Sequence, residues 1–209
     1  MKLTEMTVEA YLALLSSDAP APGGGSAAAL CGAQGAGLAA MAAGLTVRSP
    51  KYDGTAAQRL QGESLVQVQK LQDQIDRDAD AFHLVSAAYK LPKDSEEARQ
   101  KRSQAIQAGT LASTQAPLET MALALEALQT ARTLLGQFNT NAASDLGVAA
   151  LNLLAAVKGA WLNVLINTTS LKDRQQAEDF QRKGQTILRE AEALAAEIYQ
   201  TLETSLWDQ

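Results

Sequence analysis

The stretch from Ala19 to Val47 contains no charged residue, and this feature most narrows the folds open to the chain. Within it, 13 of the 19 residues from Ala27 to Leu45 are alanine or glycine. A lipid-facing helix needs larger apolar side chains, so the composition argues against a membrane span. Small residues throughout a helix-forming segment instead predict a buried helix that neighbouring helices approach closely.

The entry to this helix is the segment Asp18-Ala-Pro-Ala-Pro-Gly-Gly-Gly-Ser26. Its prolines end the preceding helix, its glycines adopt conformations that other residues avoid, and Ser26 is a candidate N-cap. Unpaired N–H groups at a helix start attract anions, which makes Gly23, Gly24, Gly25 and Ser26 candidate substrate-binding residues. A plain interhelical loop is the alternative, since the segment matches neither the P-loop nor the dinucleotide-binding motif.

The composition predicts an all-α protein. Aromatic residues make up 4% of the 209 residues and only 5 residues are proline, while alanine, leucine and glutamine are abundant. We expect a single domain, 1–209, built as a bundle of about five long helices plus a short N-terminal helix. The formal net charge of -5 argues against nucleic acid as a partner.

The cysteine and histidine content bears on location and on metals. The chain has one cysteine and one histidine, which excludes an internal disulfide and argues against a zinc site. The N-terminus lacks a charged segment followed by an apolar one, so we expect a cytoplasmic protein.

Helical spacing and turn residues outline the elements. A short helix is predicted from Val8 to about Ser17, and the Ala-rich helix ends near Thr46. Longer helices are predicted over about 55–90, from Ser95 through Leu135 with a bend near Ala116 caused by Pro117, from Ser144 as N-cap to Leu171, and over about 173–202.

The helix predicted over about 55–90 places an acidic residue among apolar ones. The positions Val68, Leu71, Ile75, Asp78, Phe82, Val85 and Tyr89 are spaced alternately by three and four residues, so they share one helix face. A carboxylate on such a face loses hydration and needs partners. Asp78 is therefore either held in a structural hydrogen bond or shifted in pKa for chemistry. Asp76 and Asp80 point elsewhere and are expected to be solvated.

The segment that begins at Ser144 carries a row of polar residues. At about 100° per residue, Asn152, Asn163 and Asn167 lie within about 40° of Asp145 around the helix axis. Apolar residues fill most of the remaining circumference, so we expect a core helix whose polar row is shielded from bulk water. The row then either binds a ligand or forms an amide network between helices.

Several short motifs, in order along the chain, resemble the cyclodeaminase/cyclohydrolase family. This family comprises bacterial methenyltetrahydrofolate cyclohydrolases and the C-terminal cyclodeaminase domain of formiminotransferase-cyclodeaminase. The motifs are Ala21-Pro-Gly-Gly-Gly-Ser-Ala-Ala-Ala, Asp76-Arg-Asp-Ala-Asp-Ala-Phe82, Leu91-Pro-Lys93, Arg102, Pro117-Leu118, Asn139 followed by Ser144-Asp-Leu, and Asn163-Val-Leu-Ile-Asn167.

The resemblance implies a helical, dimeric, folate-dependent enzyme. The expected reaction is hydrolysis of 5,10-methenyltetrahydrofolate to 10-formyltetrahydrofolate, because no formiminotransferase domain accompanies the chain. The alternatives are a formimidoyltetrahydrofolate cyclodeaminase that releases ammonia, and a non-catalytic helical folate-binding or interaction protein. We expect a homodimer with a tetrahydrofolate derivative as substrate, no tightly bound cofactor, no metal, no nucleic acid and no membrane.

The residues and the resemblance together assign candidate roles. Asp78 and Asp145 are the expected catalytic acids, dividing the tasks of general acid and base. Substrate binding is assigned to the glycine loop, to Asn139 from the resemblance, to Asn163 and Asn167, and to Asn152 from helical geometry alone. Arg48 and Lys51 are suggested as cations near the glycine loop that hold the glutamate carboxylates of folate, with Arg102 a further candidate.

Overall fold

The computed structural model describes residues 2–208, and within that range it contains helices and turns but no strand. Six α-helices follow one another: α1 Val8–Leu15, α2 Gly24–Val47, α3 Gly54–Tyr89, α4 Glu96–Thr133, α5 Ala143–Thr168 and α6 Arg174–Trp207. Short 3-10 turns at Leu3–Glu5 and Thr140–Ala142 precede α1 and α5. The prediction of an all-α bundle with five long helices and a short N-terminal one is confirmed.

The Ala-rich helix α2 lies at the centre, packed against α3 on one side and α5 on the other, while α4 lies behind them and also contacts α6. A Cβ atom on Gly32 would lie 3.0 Å from Leu71 Cδ2 of α3. A Cβ atom on Gly35 would lie 2.7 Å from Leu153 Cγ of α5. Glycine at these two positions lets both neighbours approach α2 closely, as the small-residue pattern predicted.

Polar caps begin most of the helices. The side chains of Thr7, Asp53, Ser95 and Asp173 each accept a hydrogen bond from a backbone N–H in the first turn that follows. These bonds satisfy donors that have no partner inside the helix, and they set where each helix begins. The fourth helix continues through the buried Pro117 and ends at Thr133.

The fifth helix differs from its prediction at its start. It begins at Ala143 without an N-cap at Ser144, because the 3-10 turn Thr140–Ala142 runs directly into it. Asn139 initiates this 3-10 turn, because its side-chain oxygen accepts a hydrogen bond from the Asn141 N–H at 3.1 Å.

The surface of α5 also differs from its prediction. Four apolar side chains are fully buried, Leu146, Leu153, Val157 and Val164, but another four are exposed, Val148, Leu151, Leu162 and Ile166. The prediction of a core helix surrounded by protein is therefore wrong on one face.

Two segments, Gly24–Val47 and Thr140–Thr168, are long and apolar enough to cross a membrane by length and composition alone. The first is α2, whose alanines and glycines pack against α3 and α5 inside the bundle. Core helices of water-soluble proteins pass the same test, so this finding carries little weight for a membrane location.

Candidate functional site

A cavity of about 360 Å³ lies where the start of α2 meets the second half of α3, the middle of α4 and the end of α5. Asp78, Gly24, Asn163 and Asn167 all line it. Its volume falls within the range of about 300–1,000 Å³ that is usual for small-molecule sites. The structure therefore brings together the central residues of three separate sequence predictions.

Asp78 lies on α3, half-buried at the wall of this cavity. Its Oδ2 atom accepts a hydrogen bond from the Ser26 hydroxyl at 3.0 Å. Burial raises the pKa of the Asp78 carboxyl above its ordinary value, and hydrogen bonds from the side chain and backbone of Ser26 only partly oppose this. A carboxyl with a raised pKa exchanges protons more readily near neutral pH, which suits a general acid or base.

The glycine loop lies against this carboxylate. A Cβ atom on Gly25 would overlap the Asp78 Oδ1 atom, so only glycine allows the backbone of α2 to approach the Asp78 side chain this closely. Asp78 is thus held directly against the first turn of α2. Gly24 is exposed on the cavity side, where a Cβ atom would lie 3.5 Å from Asn163 Nδ2. Gly23, Gly24 and Gly25 line the cavity, whereas Ser26 does not, and both Gly25 and Ser26 are buried beside Asp78.

The amides of Asn163 and Asn167 form another wall. The Nδ2 atom of Asn163 donates to the Gly159 carbonyl at 2.9 Å, and Nδ2 of Asn167 donates to the Ser113 carbonyl on α4 at 2.6 Å. These bonds fix the orientation of both amides. Among the described residues neither Oδ1 atom accepts a hydrogen bond, so each is available to a ligand N–H group.

Two cavity residues on α4 were missed by the sequence reasoning. Ser113 lines the cavity, and its hydroxyl is buried without a hydrogen-bond partner among the described residues. Thr110 lines the cavity one turn earlier, with its hydroxyl bonded to the Ile106 carbonyl. A buried unpaired hydroxyl is costly, so Ser113 is a further candidate contact for a ligand. The close spacing of Thr110, Ser113 and Thr114 on one helix was the available signal.

Tyr11 was also missed, and it lies in the protein interior near Asp78. Its ring packs against Ala29 and Ile75, which lie three residues from Ser26 and Asp78 respectively. Its hydroxyl is buried without a partner among residues 2–208. Burial first, and then the nearby Asp78 charge, raise the pKa of this hydroxyl, which therefore stays neutral beside the carboxylate.

The outer rim of the cavity is aromatic and cationic. Phe82 and Tyr89 line the cavity and are 41% and 56% exposed, which leaves ring surface available for stacking. The Arg102 guanidinium lies 5.4 Å from the centre of the Tyr89 ring and donates to the Tyr89 carbonyl at 3.2 Å. The rim therefore presents both a flat apolar surface and a positive charge.

The remaining predicted site residues lie elsewhere in the chain. Asp145 is 18 residues before Asn163 on α5, which is about 27 Å along a helix that rises 1.5 Å per residue. Asn152 is likewise outside the cavity lining. Both are half-buried, and neither makes a side-chain hydrogen bond within the described part of the chain. Of the four residues in the predicted polar row, only Asn163 and Asn167 line the cavity.

Asn139 has a structural environment. Its backbone N–H donates to Thr46 Oγ1 at 2.8 Å, and its side-chain Nδ2 donates to the Leu45 carbonyl at 3.4 Å. These bonds tie the start of the α5 segment to the end of α2, far from the cavity.

Three suggestions about charged residues are settled by position. Arg48 caps the C-terminal end of α2 and Lys51 follows it, about 36 Å from the glycine loop at 1.5 Å per residue, so the suggested proximity was wrong. Asp76 is half-buried rather than fully solvated, and it accepts hydrogen bonds from the Leu3 N–H at 2.6 Å and from Thr4 Oγ1 at 2.7 Å. Asp80 is exposed, as expected.

A larger groove of about 800 Å³ lies on another side of the molecule, against α6. Its charged residues include Arg77 and Arg182, which pair with Glu119 and Asp179 and are largely exposed. It contains no buried titratable group, so the smaller cavity around Asp78 is the better candidate site. No cluster of three metal-ligating side chains occurs among residues 2–208.

Comparison with known proteins places these features in a family. The family model described as formiminotransferase-cyclodeaminase matches residues 7–186. A methenyltetrahydrofolate cyclohydrolase from Methylorubrum extorquens is 37% identical over 204 residues, covering 96% of this chain and 97% of that protein. The formimidoyltransferase-cyclodeaminase of Rattus norvegicus is 34% identical over 207 residues, and this chain spans only 38% of its length.

A solved structure shares the fold. The crystal structure of formiminotetrahydrofolate cyclodeaminase from Thermotoga maritima is 25% identical in sequence and superposes with a TM-score of 0.80. The match covers 97% of this chain and 96% of that one. Sequence and fold therefore lead to the same group of proteins.

Proposed function

Since this chain belongs to the formiminotransferase-cyclodeaminase family, we propose that it hydrolyses 5,10-methenyltetrahydrofolate to 10-formyltetrahydrofolate. It is an enzyme of folate one-carbon metabolism. The observation that carries the proposed reaction is Asp78, a half-buried carboxyl with a raised pKa at the wall of a ligand-sized cavity. The 37% identity with the Methylorubrum cyclohydrolase over nearly the full length of both chains supports this choice of reaction.

The chemistry needs a group that accepts and returns a proton. Water adds to the cationic carbon that bridges the two folate nitrogens, and a proton passes from that water to Asp78. The bond from the carbon to one nitrogen then breaks, and Asp78 returns the proton to the departing nitrogen. The product is the formyl group on the other nitrogen, with one proton released overall. While ionised, Asp78 also stabilises the positive charge of the substrate.

The cavity supplies contacts that suit a flat, polar ring system. The unpaired Oδ1 atoms of Asn163 and Asn167 accept ring N–H groups, and the buried Ser113 hydroxyl either donates or accepts. Phe82 and Tyr89 cover an apolar ring face at the rim. Arg102, held against Tyr89, is positioned to bind a glutamate carboxylate of the substrate.

The glycine loop has two roles in this proposal. Gly25 and Ser26 position Asp78 through close approach and a hydrogen bond. Gly23 and Gly24 remain on the cavity side, where their backbone approaches the substrate. The proposal includes no tightly bound cofactor, a homodimer in solution and a cytoplasmic location.

A second candidate reaction is cyclodeamination of formimidoyltetrahydrofolate with release of ammonia. The structural match to the Thermotoga cyclodeaminase favours it. The same carboxyl would move protons in that reaction, in which a folate nitrogen attacks the formimino carbon and ammonia leaves.

One pair of assays separates the two. Loss of methenyltetrahydrofolate absorbance is followed against the uncatalysed rate in the same buffer, beside ammonia release from formiminotetrahydrofolate. We expect the first assay to show turnover that exceeds the second under matched conditions. Ammonia release without methenyl hydrolysis would replace the first candidate by the second. Activity in neither assay would contradict both.

A further inference from the structure

Tyr11 is a buried polar residue to which the proposed reaction assigns no task. Its side chain is only 6% exposed, and its hydroxyl has no hydrogen-bond partner among residues 2–208. A buried hydroxyl without a partner destabilises a fold, so its presence needs an explanation. The surroundings of Tyr11 identify Asp78 as the group on which this hydroxyl acts.

Tyr11 lies one helical turn from the contact between Ser26 and Asp78 that joins α2 to α3. Its ring packs against Ala29 and Ile75. Ala29 lies three residues after Ser26 on α2, and Ile75 lies three residues before Asp78 on α3. Residues three apart share a helix face and are about 4.5 Å apart along the axis. Tyr11 therefore occupies the next layer of the α2–α3 interface, and it does not line the substrate cavity.

The N-terminal segment is fastened to α3 at the same level. Asp76, two residues before Asp78, accepts hydrogen bonds from the Leu3 N–H at 2.6 Å and from Thr4 Oγ1 at 2.7 Å. The short helix α1 follows this segment and carries Tyr11. Because these hydrogen bonds and the packing of the ring hold Tyr11 in place, its hydroxyl is not needed to anchor the helix.

Few other titratable groups face Tyr11 and Asp78. Among the described residues, Asp78 is the only charged one that lines the substrate cavity. A second cavity, of about 400 Å³, lies along Tyr11 between the N-terminal segment, α2 and α3, and none of its lining residues within 2–208 is charged. The titratable neighbour on α2 is Cys31. The other charged residues of the adjoining segments are exposed or already bonded: Lys2, Glu5 and Glu9 near the N-terminus, Asp76, Arg77 and Asp80 on α3, and Glu119 on α4.

The Tyr11 hydroxyl keeps its proton and can donate it to a hydrogen bond. Burial first, then the Asp78 charge and then Cys31, raise the pKa of this hydroxyl, so it stays neutral. An ionised carboxylate has about four acceptor positions, more than the side-chain and backbone hydrogen bonds from Ser26 fill. A donor that faces a buried carboxylate favours its ionised form.

We propose that Tyr11 is a positioning residue for Asp78, whose hydroxyl faces the carboxylate from inside the bundle and stabilises the ionised form that accepts a proton from water. Ser26 and Tyr11 then support the acid from two adjacent layers of the α2–α3 interface. Without the Tyr11 hydroxyl, burial keeps Asp78 protonated up to a higher pH, and the acid begins to act as a base only above it. This inference rests on the proposed function, in which Asp78 is ionised before water adds.

The pH dependence of turnover tests this role. Tyr11→Phe keeps the ring and removes only the hydroxyl, so the packing against Ala29 and Ile75 remains. We expect the acidic limb of the kcat profile for methenyltetrahydrofolate to move to higher pH by about 1 pH unit, with an unchanged plateau rate above it. Below the limb, turnover at a given pH should then fall about 10-fold. Each rate is corrected for uncatalysed hydrolysis at the same pH.

Tyr52→Phe is the matched control for this profile. Tyr52 is a half-buried tyrosine in the loop between α2 and α3, and it lines neither cavity. Its profile should coincide with that of wild type. An unshifted acidic limb in Tyr11→Phe would overturn the proposal. A rate lowered by the same factor at every pH would overturn it too, because the hydroxyl would then only support the fold.

Unfolding measurements test the same contact without any activity assay. The free energies of urea unfolding of wild type, Tyr11→Phe, Asp78→Asn and the double variant form a mutant cycle. At neutral pH we expect loss of the hydroxyl to be more destabilising with Asp78 present than in the Asp78→Asn background. This coupling should shrink at acidic pH, where Asp78 is protonated. A cycle without coupling at neutral pH, or with equal coupling at both pH values, would contradict the role of Tyr11.

The two tests separate this inference from the proposed function. If wild type is inactive in both folate assays, the proposed function fails, and the unfolding cycle still decides whether Tyr11 supports the Asp78 carboxylate. If wild type is active and the cycle shows no coupling, the proposed function stands and Tyr11 has no part in it.

Discussion

Asp78 and Asp145 were both predicted from the sequence to be catalytic acids, yet the structure places them in different surroundings. Asp78 lies beside the start of α2, bonded to Ser26, with a raised pKa and a cavity in front of it. Asp145 lies in the first turn of α5, half-buried and without a polar partner among the described residues. We expect a carboxyl to act in catalysis where several elements converge on it, as they do on Asp78 and do not on Asp145.

The largest expected effect comes from removing the better supported acid. Asp78→Asn keeps the size of the side chain and an acceptor for Ser26 but cannot exchange a proton. We expect turnover of methenyltetrahydrofolate to fall about 10²-fold or more while the helix content is unchanged. Asp80→Asn, an exposed carboxylate on the same helix, is the matched control and should keep wild-type turnover. Wild-type turnover in Asp78→Asn would remove this acid from the mechanism.

A smaller loss is expected when Asp78 is kept but displaced. Gly25→Ala adds a methyl group where the Asp78 Oδ1 atom lies, so the carboxylate must shift. We expect turnover to fall about 10-fold or more, since general acid and base catalysis depends on positions held within hydrogen-bond reach. Gly62→Ala is the matched control, because it also adds one methyl group to a helix but the added Cβ atom meets nothing within 4 Å. We expect it to leave turnover unchanged. Equal turnover in both proteins would mean that the close approach at Gly25 does not matter to catalysis.

Binding through the glycine loop is expected to show a smaller effect still. Gly24→Val puts a branched side chain on the cavity side, close to Asn163. We expect folate affinity by titration calorimetry to fall several-fold with little change in melting temperature, and the loss to be larger for polyglutamated than for truncated ligands. Wild-type affinity for both ligands would mean that the glutamate carboxylates of folate are bound by another group, with Arg102 the next candidate.

The smallest expected effect concerns stability and follows from the raised pKa of Asp78. Because the folded state disfavours the ionised carboxyl, wild-type stability should fall as pH rises from the ordinary carboxyl pKa through the raised pKa of Asp78. Asp78→Asn removes this penalty, so its melting temperature should equal or exceed that of wild type at neutral pH. The difference should disappear at acidic pH, where Asp78 is protonated in both states. A variant that melts lower at neutral pH would show that the carboxylate stabilises the fold.

Much of the molecule was predictable from local patterns. Apolar spacing and cap residues located the six helices to within a few residues at most ends. Alanine and glycine content identified α2 as the buried centre, and the alternating spacing on α3 placed Asp78 on its packed face. Each of these inferences depends on interactions within one helix or on the side that a helix presents, and the sequence contains both.

Other features needed the packing of several helices. Asn139 was assigned to the substrate and instead bonds to Thr46 and Leu45 at the end of α2. Arg48 lies at the wrong end of α2 to serve the glycine loop, whereas Arg102 lies at the cavity rim from a different helix. Ser113 was overlooked, because its unpaired hydroxyl has meaning only once α4 is placed opposite Asn167.

The sequence by itself determined which residues lie on which side of each helix, because that angle follows from 3.6 residues per turn. It also determined that α2 is closely packed, because alanine and glycine permit little else. Only the tertiary structure decided how far along each helix the sides meet, and so which of the polar residues share a cavity. The position along its axis at which each helix contacts its neighbours depends on loop lengths and on how the side chains of neighbouring helices interdigitate. Neither follows from the periodicity of a single helix.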